Sequence, residues 1–215
     1  MSEELFKQMA QAVIDGEAEE AAALAHKALE QGVSPLEAIN KGYSAGMDVV
    51  GELYSSGEYF LPDLIMGGEA MKAALAVLEP VLKAAGQSRK VLGIVVLGTV
   101  KGDIHEIGKS LVGSMLAAHG FEVFDLGIDV PSDEFVVKAR EYNADIVALS
   151  ALLTTTMLHQ REVIEHLSEA GMRDRVKVMV GGSPVTQVWA EQIGAEGFAE
   201  DAANAVVVAK RLMGV

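Results

Sequence analysis

Asp103 and His105 stand two residues apart in the run Gly98-Thr99-Val100-Lys101-Gly102-Asp103-Ile104-His105-Glu106-Ile107-Gly108-Lys109. A neutral imidazole ligates a transition metal through one ring nitrogen, while the other commonly donates to a carboxylate that fixes the ring and raises its basicity. Asp103, on the same loop, is placed to be that carboxylate. Two other segments are polar or glycine-rich: Ser150-Ala151-Leu152-Leu153-Thr154-Thr155-Thr156 and Gly181-Gly182-Ser183-Pro184. Cysteine is absent, which removes disulfides, thiolate metal sites, iron–sulfur clusters and a thiol nucleophile together. Any metal must therefore use His, Asp or Glu. Taken singly, each segment also has a plain reading. Asp-x-His can be a solvated loop opening a helix, Gly-Gly an ordinary turn, and the threonines a helix start with one as N-cap.

What decides between these readings is where the chain's elements place the segments. From Arg89 onward, short β-branched runs alternate with helical ones, the pattern of repeated βα units and a parallel sheet. Strands are expected at Val91 to Leu97, Glu122 to Leu126, Ile146 to Ser150, Lys177 to Val180 and Gly197-Phe198. Five strands with intervening helices suit a doubly wound, flavodoxin-like sheet of order 2-1-3-4-5, whose ligand crevice lies beyond the carboxyl ends of strands one and three. All three segments follow strands at that edge. The opposite edge, around Ala118-His119-Gly120 and Tyr142-Asn143-Ala144, carries no such cluster.

Residues 1–88 contain no strand-like run and read as a four-helix bundle. Helices are expected at Glu3 to Ile14, Ala18 to Gln31, a third from the Ser34 N-cap and Pro35 to Tyr54, and Pro62 to Ala85. The domains are thus 1–88, all-α, and 89–215, α/β, with Gly86-Gln87-Ser88 as linker.

Asp103-x-His105-x-x-Gly108, then Ser150-x-Leu152, then Gly181-Gly182 resembles the cobalamin-binding domain of B12-dependent methyltransferases and mutases. The helical half, ending in Tyr59-Phe60-Leu61-Pro62-Asp63-Leu64 with Met66 and Met71, is similar to the cap domain of methionine synthase and of free-standing corrinoid proteins. The resemblance covers nearly the whole chain and points to the methyl-carrying subunits of methanol, methylamine and aryl methyl ether methyltransferase systems. It implies a cobalamin or related corrinoid, cycling between methylcobalamin and Co(I), bound base-off with His105 as the lower cobalt ligand. It implies a relay from Asp103 to a hydroxyl after strand three, which the resemblance to methionine synthase places at Thr156, where the family often has serine. Protonation of the His–Asp pair would favour release of the imidazole, which suits Co(I). Around the cofactor, Gly102, Glu106 and Ile107 flank the ligand. Gly108, Gly181 and Gly182 give the nucleotide tail room, Ser150 and Thr154 bond its base, and Leu152 lines the slot. Phe60, Leu61, Met66 and Met71 form an apolar lid.

A carrier of this kind has no site for a methyl donor or acceptor, so it is expected to be a non-catalytic subunit in one-carbon metabolism. The partners implied are a donor-specific methyltransferase, an acceptor methyltransferase using folate or a thiol, and a corrinoid reductive activase, with a hinge near residues 86–90. The rival readings are an adenosylcobalamin mutase subunit, which lacks the cap bundle, a B12-sensing regulator, and a phosphoacceptor receiver domain. The receiver would want an aspartate after strand three, where Ser150 and Leu152 stand. A formal charge of −14 spread along 215 residues argues against nucleic acid. No apolar run is long enough for a membrane span, and the start resembles an amphipathic helix rather than a signal, so a cytoplasmic protein is expected. His26, His119, His159 and His166 read as surface or helix-end residues, with His159 nearest the threonines. Trp189 reads as a packing residue.

Overall fold

The computed structural model describes residues 2–85 and 91–215. The expected linker and hinge, at residues 86–90, lie outside the described residues. Contacts divide the chain into two units, Met1–Lys90 and Val91–Val215.

In the first unit, α1 (Ser2–Ile14) and α2 (Ala18–Glu30) each bury one stripe: Leu5, Met9, Ala12 and Val13 on α1, and Ala21, Leu24, Ala25 and Ala28 on α2. The expected third helix is made of three pieces: α3 (Pro35–Glu37), a π-helical segment over Ala38–Tyr43, and α4 (Ser44–Ser56). Pro35 takes the first helical position, but the Ser34 side chain makes no capping bond. The wider π turn accommodates the fully buried Tyr43, whose hydroxyl donates to the Ala21 carbonyl of α2 at 2.7 Å. A Cβ at Gly46 would lie 2.4 Å from the Ala10 carbonyl, so glycine is what lets α4 approach α1. Gly57, at φ 80°, ends α4. The last helix, α5 (Leu61–Ala84), starts one residue before the expected Pro62, and the Asp63 carboxylate accepts from the Phe60 amide at 2.8 Å. It packs against α2 and α4.

The second unit alternates β1 (Ile94–Thr99), α6 (Ile107–Ala118), β2 (Glu122–Asp125), α7 (Ser132–Glu141), β3 (Ile146–Ser150), α8 (Leu158–Glu169), β4 (Lys177–Gly181), α9 (Gln187–Ile193), β5 (Gly197–Ala199) and α10 (Ala202–Met213). All strand pairs are parallel, in the order β2-β1-β3-β4-β5. One sheet face packs Val96, Val147, Leu149, Val178 and Val180 with Phe135 of α7, Val163 and Leu167 of α8, and Trp189 and Ile193 of α9. Helices α6 and α10 pack together on the other face. Strand β1 begins at Ile94 rather than the expected Val91 and runs on to Thr99 rather than stopping at Leu97. The cause is pairing: Ile94 is opposite Glu122 and Thr99 opposite Ser150, so its partners set its ends and the apolar run does not. The same rule ends β2 at Asp125 rather than Leu126 and carries β4 to Gly181 and β5 to Ala199. Gly98 makes room for α7: a Cβ there would lie 2.7 Å from the Phe135 ring.

Candidate functional site

At the carboxyl ends of β1 and β3, the Asp103 carboxylate is wholly buried and fully bonded. Its Oδ1 lies 2.7 Å from His105 Nδ1 and accepts from the His105 amide at 3.1 Å. Its Oδ2 accepts from the Leu152 amide at 2.8 Å and from the Thr156 hydroxyl at 2.6 Å. Burial alone would push this carboxyl up. The bonds from Thr156, the Leu152 amide and the ring and amide of His105 outweigh it and hold the group well below the usual carboxylate range. An ionised carboxylate can only accept, so His105 carries a proton on Nδ1, and in the neutral ring the lone pair is then on Nε2. The His105 side chain is 45% exposed, and Nε2 has no hydrogen-bond partner among the described residues. The backbone of the ligand residue is held as well: Thr99, buried at the end of β1, donates its hydroxyl to the His105 carbonyl at 2.9 Å.

The remaining expected residues of this unit gather at the same edge. Gly102 turns the chain at φ 78°, Glu106 stands at the N-cap of α6, and Ile107 and Gly108 open that helix, all of them exposed. Ser150 ends β3 half-buried, while Leu152 and Thr154 lie exposed on the following loop. The helix after the threonines has Met157 at its N-cap with no side-chain cap; the Thr156 hydroxyl is committed to Asp103 and the Leu153 carbonyl. Gly182 has φ 124°, and a Cβ there would lie 1.8 Å from the Ala151 carbonyl, so the protein's own backbone already demands glycine at that position. Gly108 differs, because a Cβ there would meet nothing within 4 Å. In the helical unit, Phe60 and Met66 are exposed, Leu61 is half-buried, and Met71 is fully buried in the core.

Sequence reasoning missed Thr99, the Leu152 amide and Gln160. Gln160 of α8 is fully buried; its amide donates to the carbonyls of Leu149 and Gly181, and its oxygen accepts from the Trp189 indole at 2.9 Å. It thereby ties the ends of β3 and β4 together. A glutamine at an inward position of an amphipathic helix was the available signal. His159 pairs with Glu162 at 2.8 Å, which lowers that carboxyl, and does not join the Asp103 cluster.

Among the described residues, no three His, Asp or Glu side chains converge to hold an ion by themselves. One oriented imidazole suits a metal that arrives with most of its ligands in place. On the two loops that meet at Asp103, Ile104, Ile107, Leu152 and Leu153 are 70%, 77%, 42% and 44% exposed, apolar groups available to an organic ligand, and a Cβ at Gly108 would meet nothing within 4 Å. A family described as B12 binding domain matches residues 93–207, and a second family so described matches residues 5–79. A dimethylamine corrinoid protein of Methanosarcina acetivorans is 50% identical over 211 residues, 98% of this chain and 97% of its own length. The chain belongs to the B12-binding corrinoid proteins. It is also 46% identical over 213 residues to a trimethylamine corrinoid protein of Methanosarcina barkeri, 99% of this chain and 98% of that one. The methanol:cobalamin methyltransferase complex of Methanosarcina barkeri holds a chain of the same fold, with a TM-score of 0.87, 32% identity, 98% of this chain covered and 80% of that chain. The cofactor of this corrinoid protein is accordingly a cobalamin or a related corrinoid. Among the described residues of this corrinoid protein, no helix is long and apolar enough to cross a membrane.

Proposed function

We propose that this corrinoid protein is a methyl carrier that holds its corrinoid base-off, with His105 Nε2 as the lower cobalt ligand. It would pass the methyl group from a donor-specific methyltransferase to an acceptor methyltransferase using folate or a thiol, with a reductive activase as third partner. The observation that carries this reading is the buried Asp103 carboxylate bonded to His105 Nδ1 at 2.7 Å, which leaves Nε2 free on an exposed apolar edge. The bound corrinoid supplies a cobalt that accepts and releases a methyl group. The protein's part is to present one nitrogen, to hold the Nδ1 proton between His105 and Asp103, and to back that carboxylate with Thr156. The slot residues Ser150, Leu152, Thr154, Gly108, Gly181 and Gly182 serve the tail in this reading. Relatives named for dimethylamine and trimethylamine, and a fold match within a methanol methyltransferase complex, support a methylated C1 compound as the donor. Reconstitution of wild type and His105→Ala with hydroxocobalamin tests the assignment. The expected result is bound corrinoid in both, with an imidazole-ligated visible spectrum only in wild type; identical spectra would overturn the ligand.

A further inference from the structure

The turn that carries Asp103 and His105 is gripped by a residue outside the expected set. Asp129, in the loop between β2 and α7, accepts on Oδ1 from the Gly102 amide at 2.6 Å, and its own amide donates to the Asp103 carbonyl at 2.9 Å. One residue thus holds the backbone on both sides of the Gly102–Asp103 step. Asp129 does so at φ 52°, the left-handed region that a side chain disfavours. Aspartate tolerates that region better than most side chains, and here the conformation goes with two bonds into the Asp103 turn.

The rest of the loop is fastened to the same segment. At its start, the buried Lys109 ammonium of α6 pairs with Asp125, whose Oδ1 also accepts from the Gly127 amide at 2.9 Å. At its end, the Val130 amide donates to the Thr99 carbonyl at 3.0 Å, and Thr99 holds the His105 carbonyl. The loop after β2 therefore braces the His105 segment at both ends, with Asp129 as the contact point in the middle. We infer that Asp129 is a positioning residue for His105, fixing the height and tilt at which the imidazole leaves the sheet edge. The inference rests on the reading of His105 as the lower ligand. Asp129 itself needs no contact with the cofactor.

The full-length protein serves for the test as wild type, His105→Ala, Asp129→Gly and Asp129→Asn. Glycine adopts φ 52° freely and keeps the amide bond to Asp103, so it deletes the carboxylate alone. Asparagine keeps an acceptor and tolerates the left-handed region. Reconstituted with methylcobalamin, Asp129→Gly is expected to lower the ratio of imidazole-ligated to unligated corrinoid about tenfold, with Asp129→Asn retaining most of it. In the cofactor-free protein the Gly102 amide should exchange with solvent faster in Asp129→Gly, while the thermal midpoint stays near that of wild type. An Asp129→Gly ratio equal to wild type, an Asn variant as defective as the Gly variant, or loss of the fold in Asp129→Gly would each overturn the positioning role. Identical spectra for wild type and His105→Ala would instead overturn the ligand assignment, and the inference with it.

Discussion

A buried carboxylate is unfavourable unless its lone pairs are used, and Asp103 uses them on two amides, a hydroxyl and an imidazole. Its folded-state pKa is depressed, so it contributes stability above the unfolded value of about 4 and loses that contribution as pH falls through the strongly acid range. Asp103→Asn should therefore be less stable than wild type at pH 7, by on the order of 2 kcal/mol, and the gap should narrow below about pH 4. Urea unfolding at a series of pH values measures this, and a gap that ignores pH would show that the native carboxyl is not charged. Thr156→Ala removes one donor and should cost about 1–2 kcal/mol at neutral pH, whereas Thr156→Ser, which keeps the hydroxyl, should recover most of it.

At the scale of elements, the edge of the sheet collects the site because parallel strands deliver every following loop to the same end. Two glycines there make opposite predictions. Gly182→Ala drives a Cβ into the Ala151 carbonyl and should destabilise the fold by about 3 kcal/mol or more. Gly108→Ala meets open space and should leave stability within about 0.5 kcal/mol, so any weakening of corrinoid binding reports the ligand's own approach. Urea midpoints and corrinoid retention on gel filtration separate the two effects. The five-strand order and the gathering of the Asp103–His105 loop and the strand-three hydroxyls at one edge were legible in the sequence, because β-branched runs mark the strands and topology fixes the edge; the pairing of Asp103 with Thr156 came from the family resemblance. Strand ends were not legible, since pairing partners set them. The π-helical turn at Ala38–Tyr43 was also hidden: Tyr43, at its end, bonds the Ala21 carbonyl 22 residues away, a contact that no local pattern encodes. The grip of Asp129 on the Gly102 turn escaped for the same reason, being a contact between loops 27 residues apart.

In the whole molecule, two compact units are joined in one chain, so unfolding need not be a single transition. The only tryptophan, Trp189, lies in the sheet unit, buried and bonded to Gln160, so its fluorescence reports that unit alone. Circular dichroism reports both units. A ligand that binds only the native sheet unit stabilises it by an amount set by concentration over Kd, about 2.7 kcal/mol at a hundredfold excess. Adding hydroxocobalamin should therefore raise the Trp189 transition, and, on the proposed role of His105, raise it less in His105→Ala. If the helical unit also contributes to binding, the circular dichroism transition should move by the same amount as the fluorescence and the two curves should merge. If the sheet unit binds alone, the curves should separate as corrinoid is added, because only one unit is then held by the ligand.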